Sequence, residues 1–259
     1  MKQVEFANNV KRILETDDSV TGLAVGGSWL NSQMDEFSDL DLIIVTETKV
    51  SDDKNKMFDY AGRFGDFLSG FTGEHVGEPR LLICLYDNPL LHVDLKFVTI
   101  AEFQKRIETP AILLDKGGKL KAALENSTAE FPYPDYQWIE DRFWIWVHYA
   151  LLKIGRGEYF ETLDFFSFIR IMILGPLLHI KNGNLPRGVR KAETELTPED
   201  LSDLKVTIPD YERHSLLESL RYSISLYRKL RSALFDDRVK LQKETEAKVM
   251  QYLDEIEKM

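Results

Sequence analysis

The chain has 259 residues, 44% hydrophobic and 29% charged, with a formal net charge of -10. That composition supports a large buried core and excludes intrinsic disorder, and the length fits one big domain or two of ordinary size. The acidic balance repels a phosphate backbone and so excludes long nucleic acid as a partner. The lone cysteine, Cys84, excludes an intrachain disulfide and a Cys-built zinc site, and a reducing cytoplasm is the expected compartment.

In chain order, MKQVEFANNVKRILE predicts an amphipathic helix over 3–16 and lacks the apolar run and cleavage site of an export signal. The strand-like VTGLAVGG and SDLDLIIVT come next. A helix over 52–70 is then expected, with Met57, Phe58, Ala61, Phe64 and Leu68 at helical spacing. Two more strands, at 80–87 and 90–100, are joined by the turn-forming Asp87-Asn88-Pro89. After FPYPDYQ, whose two prolines suit a linker, everything reads as helix. The expected division is therefore 1–130, a mixed-sheet domain, and 131–259, a helical bundle: an α+β chain.

Within the second part, the apolar run at 163–180 contains Asp164, Arg170 and His179, which favours a core helix over a membrane span. Leu216, Leu217, Leu220, Ile224, Tyr227, Leu230 and Leu234 form one helical stripe. Thr197 and Asp210 are cap candidates, and a last helix is expected from about 238. The loop carrying Arg187, Arg190 and Lys191 suits a phosphate or an acidic acceptor as well as plain solvation. The five histidines show no metal-ligand spacing.

Chemistry concentrates in AVGGSWLNSQMDEFSDLDLIIVT. Side chains alternate along a strand, so Asp39 and Asp41 share one face while Leu40, Leu42 and Ile44 share the other. Two adjacent carboxylates repel, and a divalent cation is the usual compensation. In LLHVDLKFV the same phase puts His92, Asp94 and Lys96 on the polar face. If that strand neighbours the first, three carboxylates meet, which suits two Mg²⁺ ions carrying nucleotide phosphates. Gly26 and Gly27 leave room for a phosphate to approach, and Ser28 offers a hydroxyl and an N–H. Lys96 joins Gly27 and Ser28 as a candidate phosphate contact on its face alone.

Gly27-Ser28, then Asp39-x-Asp41, then the strand aspartate Asp94 resemble the nucleotidyltransferase superfamily. SDLDLIIV, HVDLKFVTIAEF and the helical C-terminal half are most similar to aminoglycoside 6-adenylyltransferases. The resemblance implies that 1–130 is a nucleotidyltransferase catalytic domain and 131–259 a helical acceptor-binding domain. It implies transfer of AMP from ATP, or of another nucleoside monophosphate from its triphosphate, to a hydroxyl of a small acceptor, with release of pyrophosphate. Asp39 and Asp41 would hold both metal ions and Asp94 one; Asp94 is also the candidate general base. The negative net charge favours a cationic acceptor, and no membrane partner is expected. Many relatives carry arginine three residues after the serine, where this chain has Asn31. Two other readings stay open: an antitoxin-like enzyme that modifies a partner protein, and a catalytically silent nucleotide-binding module. Oligomeric state is left open.

Overall fold

Leu40–Thr46, the strand that the Asp-x-Asp opens, lies inside a six-stranded sheet in the computed structural model, which describes residues 1–30 and 34–259. Asn31 lies outside the described residues. The chain divides into two units, Met1–Phe131 and Pro132–Met259. In the first unit the described elements are α1 (Lys2–Glu15), β1 (Val20–Val25), β2 (Leu40–Thr46), α2 (Lys54–Arg63), β3 (Asp66–Gly73), β4 (Glu78–Asp87), β5 (Leu91–Val98), α3 (Ile100–Phe103), β6 (Ala111–Asp115) and α4 (Lys119–Glu125).

The strand order is β3-β4-β5-β2-β1-β6. The β2–β5 pair is parallel and the other neighbours are antiparallel, so the sheet is mixed, as the sequence predicts. Alternation decides what each face buries. Leu23, Leu40, Leu42, Ile44, Val93, Leu95 and Phe97 point one way and pack with Ala7, Val10 and Leu14 of α1 and Met57, Ala61 and Phe64 at α2. Each fully buried aliphatic or aromatic side chain contributes about 1.5–3 kcal/mol. On the opposite face Ala24, Val45 and Val98 are covered by Phe103, Leu120 and Ala123 from the region of α3 and α4. Asp41 and Asp94 belong to that second face, nearer the N-terminal ends of β2 and β5 than the covered valines.

The expected helix over 52–70 is shorter. Asp53 caps it through the Asn55 amide at 3.0 Å, and it ends at Arg63. Gly65 then lies flat against the rings of Phe6 and Tyr86, where a Cβ would stand 3.3 Å from Phe6. Beyond it the chain pairs with β4 as β3, which leaves Leu68 52% exposed on a strand instead of in a helical stripe. Cross-strand hydrogen bonding overrode the helical spacing.

In the second unit all the described elements are helices: α5 (Tyr136–Arg156), α6 (Tyr159–Ile169), a π-helical turn at Arg170–Leu174, α7 (Gly175–Lys181), α8 (Ala192–Glu195), α9 (Pro198–Lys205), α10 (Arg213–Leu234) and α11 (Lys243–Glu257). Tyr159–Lys181 is, by length and composition, apolar enough to cross a membrane. Half of its most apolar window is buried inside the protein, Ile173, Leu174, Leu177 and Leu178 completely, while Phe168, Ile171 and Met172 are exposed. Thr197 caps α9 as predicted, accepting from the Asp200 amide. Asp210 does not cap α10; Glu212 does, accepting from the Ser215 amide at 3.1 Å. The last helix begins at Lys243, because the Lys240 and Gln242 amides donate to Gln137 and Glu140 at 2.8 and 2.9 Å instead of entering a helix.

Glu140 is fully buried and ties three helices together. It accepts from Tyr227 Oη at 2.5 Å on α10, Trp144 Nε1 at 3.3 Å on its own helix, Arg231 at 3.2 Å and the Gln242 amide before α11. Each of these donors loses its acceptor if the carboxylate is removed, and unpairing a buried ion pair costs about 3–5 kcal/mol. Glu140→Ala is therefore expected to lower unfolding stability by that order, measured by denaturant titration, with Glu140→Gln intermediate.

Candidate active site

The parallel pairing of β2 with β5 sets Asp41 directly opposite Asp94, and adjacent strands run about 4.8 Å apart. Asp39 immediately precedes β2, and its charge acts on Asp94. The Asp94 side chain is only 22% exposed. Its carboxyl is raised above the usual carboxylate range, first by burial, with the charge of Asp39 adding to the rise; the hydrogen bond and charge of His92 oppose it. The His92 Nε2–Asp94 Oδ1 contact is 3.0 Å. Burial and like charge at Asp94 thus leave negative charge short of compensation.

The turn after β1 presses on these carboxylates. The Gly26 amide donates to the Asp41 carbonyl at 3.0 Å, which fixes where the turn leaves the strand. Gly27 has φ +61°, and a Cβ there would fall 1.9 Å from Asp41 Oδ2. Only glycine fits both constraints. Ser28 follows in a short 3₁₀ turn, Gly27–Trp29, and is half-buried.

Lys96 shares the face of Asp94, but its Nζ lies 2.8 Å from Glu78 Oε2. Glu78 also takes Arg80 Nε at 2.7 Å. Burial would raise the Glu78 carboxyl, yet the hydrogen bonds and charges of Arg80 and Lys96 hold it down at about 2. The structure thus gives Lys96 a carboxylate partner of its own.

Another acidic residue reaches the turn. Glu108, in the loop between α3 and β6, accepts the Gly27 amide on Oε1 at 3.1 Å. No spacing in the sequence announces this contact, because the two residues are distant along the chain and neither lies in a shared motif.

All of these residues fall within 7–114, the stretch that matches the family model for the nucleotidyltransferase domain. Residues 7–114 resemble a nucleotidyltransferase domain. The match covers less than half of the chain. No curated protein matches significantly. Among solved structures, the chain is similar to an aminoglycoside 6-adenyltransferase from Bacillus subtilis, at 16% identity over 98% of both chains with a TM-score of 0.41. It is also similar to a nucleotidyltransferase-like protein from Exiguobacterium sibiricum 255-15, at 11% identity over 97% of this chain and 88% of the other, with a TM-score of 0.36. Both scores fall below the level at which a shared fold follows.

Among the described residues, no three His, Cys, Asp or Glu side chains stand close enough together to hold a metal ion as they are placed. The donor set nevertheless fits a hard divalent cation. Asp41 and Asp94 are opposed, Asp39 acts electrostatically on Asp94, and all supply carboxylate oxygens of the kind Mg²⁺ takes. A shallow cleft of about 470 Å³ in the same domain runs along Gln104–Ile107 and Ser127, Thr128 and Glu130; none of the three aspartates lines it. The basic loop with Arg187, Arg190 and Lys191 belongs to the second unit, where Gly188 packs on Gly175 and Lys191 has φ +58°.

Proposed function

We propose that the nucleotidyltransferase domain moves a nucleoside monophosphate, AMP in the simplest case, from its triphosphate to a hydroxyl of a small acceptor. Asp39, Asp41 and Asp94 are the catalytic carboxylates. The observation that carries this reading is the register pair Asp41–Asp94, set against the Gly27 turn. Asp39 and Asp41 would hold two Mg²⁺ ions and Asp94 one of them. Bound there, the ions would neutralise the phosphate oxygens and acidify the attacking hydroxyl.

The remaining steps belong to the chain. The Gly27 and Ser28 amides orient the phosphates, and the glycine lets them approach the backbone closely. His92 engages Asp94 Oδ1, so Oδ2 is the atom that takes the acceptor's proton. Burial raises the affinity of Asp94 for that proton. Positioning in line with the departing pyrophosphate supplies most of the rate. The net charge of -10 favours a cationic acceptor of the aminoglycoside kind.

The test is pyrophosphate release by the full chain with Mg²⁺, each nucleoside triphosphate in turn, and a panel of aminoglycosides and lincosamides. Labelled nucleotide should pass to a small acceptor. Label on protein alone would favour the protein-modifying reading, and triphosphate binding without any release would favour the silent module.

A further inference from the structure

The amide that the proposed function gives to a phosphate is already bonded to an anion of the chain's own. Gly27 N–H donates to Glu108 Oε1 at 3.1 Å, and the same oxygen lies 3.1 Å from where a Gly26 Cβ would be, so the carboxylate sits over the Gly26–Gly27 peptide. Asp41 Oδ2 lies 1.9 Å from where a Gly27 Cβ would be. The turn is therefore flanked by two carboxylates, with Asp94 across the strand from one of them.

The loop that delivers Glu108 is anchored. The Arg106 guanidinium donates to the carbonyls of Leu124 and Ser127 at 3.3 and 2.7 Å and to the Ser127 hydroxyl, and the Arg106 carbonyl accepts from the Glu130 amide at 2.9 Å. The backbone two residues before Glu108 is thus held in place, so displacement of the carboxylate from Gly27 would fall to its side chain.

We propose that Glu108 is a selectivity residue that makes nucleotide binding depend on metal. Its carboxylate fills the phosphate's place at Gly27 and repels a bare polyphosphate, and a triphosphate carrying its divalent ions meets no such barrier and displaces it. This rests on the nucleotidyltransferase reading of the site. Juxtaposed like charges repel most when desolvated, and the partly exposed turn lessens that repulsion.

The measurement is calorimetric binding of ATP to the full chain, with Mg²⁺ and again with EDTA. Wild type is expected to bind Mg²⁺–ATP far better than metal-free ATP. Glu108→Ala should raise the metal-free affinity by about tenfold or more. Glu108→Gln should raise it less, because the amide oxygen still accepts from Gly27, and its near-identical shape guards against a folding artefact. Unchanged or weaker metal-free binding in both folded variants would overturn the proposal, as would loss of Mg²⁺–ATP binding, which would make Glu108 a holding group. Failure of wild type to bind ATP in either form would instead defeat the nucleotidyltransferase reading on which the proposal stands.

Discussion

Asp41→Asn is expected to cut acceptor-dependent pyrophosphate release by on the order of 10³-fold, ~4 kcal/mol in the barrier. Asp39→Asn and Asp94→Asn should act alike, since a transition state that gathers charge loses a ligand in each case. Stability should move differently. The carboxyl of Asp94 is raised in the folded protein, chiefly by burial and further by Asp39. A raised folded value means the ionised group costs stability in full above that value, and the cost shrinks as pH falls from it toward the ordinary carboxylate value. Metal-free Asp94→Asn should therefore melt above wild type at neutral pH and converge with it in acid. Melting curves across a pH series read this directly, and Asp41→Asn turning over at the wild-type rate would remove the carboxylates from the mechanism.

Gly27→Ala is expected to fail on two counts. A left-handed residue with a Cβ costs about 1–2 kcal/mol. The new methyl would also stand 1.9 Å from Asp41 Oδ2, so the carboxylate must leave its place. A displacement of about 1 Å in a catalytic group costs roughly 10²-fold in rate. Gly26→Ala is the control. Its φ of -116° suits any residue, and the nearest atom to its Cβ is the far end of the Glu108 side chain at 3.1 Å. Turnover should fall much further in the first variant than in the second. Equal rates in the two would show that the Gly27–Asp41 contact carries no catalytic weight.

Strand phase made much of this site legible. Period-two alternation put Asp39 with Asp41, and His92 with Asp94, on defined faces, and burial in the structure follows the same phase. Which strands would be neighbours was not written in either segment. The parallel pairing depends on a crossover through α2, β3 and β4. Strand β3 was hidden because Phe64 and Leu68 continued a helical spacing that only pairing with β4 interrupts. Lys96 showed its face but not Glu78, and Gly27 showed its freedom but not Glu108: in both cases the partner comes from a distant strand or loop. The fold class was readable from composition and rhythm, whereas charge partners were fixed only by tertiary contact.

The crossover has a kinetic consequence. Asp41 and Asp94 meet only when β5 pairs with β2, across the intervening α2, β3 and β4. Local structure such as α1, α2 or the β3–β4 hairpin can form without bringing any two of the three aspartates together across strands. Closing a long stretch of chain before its contacts reward it is a slow event. Recovery of activity on dilution from denaturant should accordingly lag behind recovery of helical signal, and catalysis then serves as a clock for completion of the sheet.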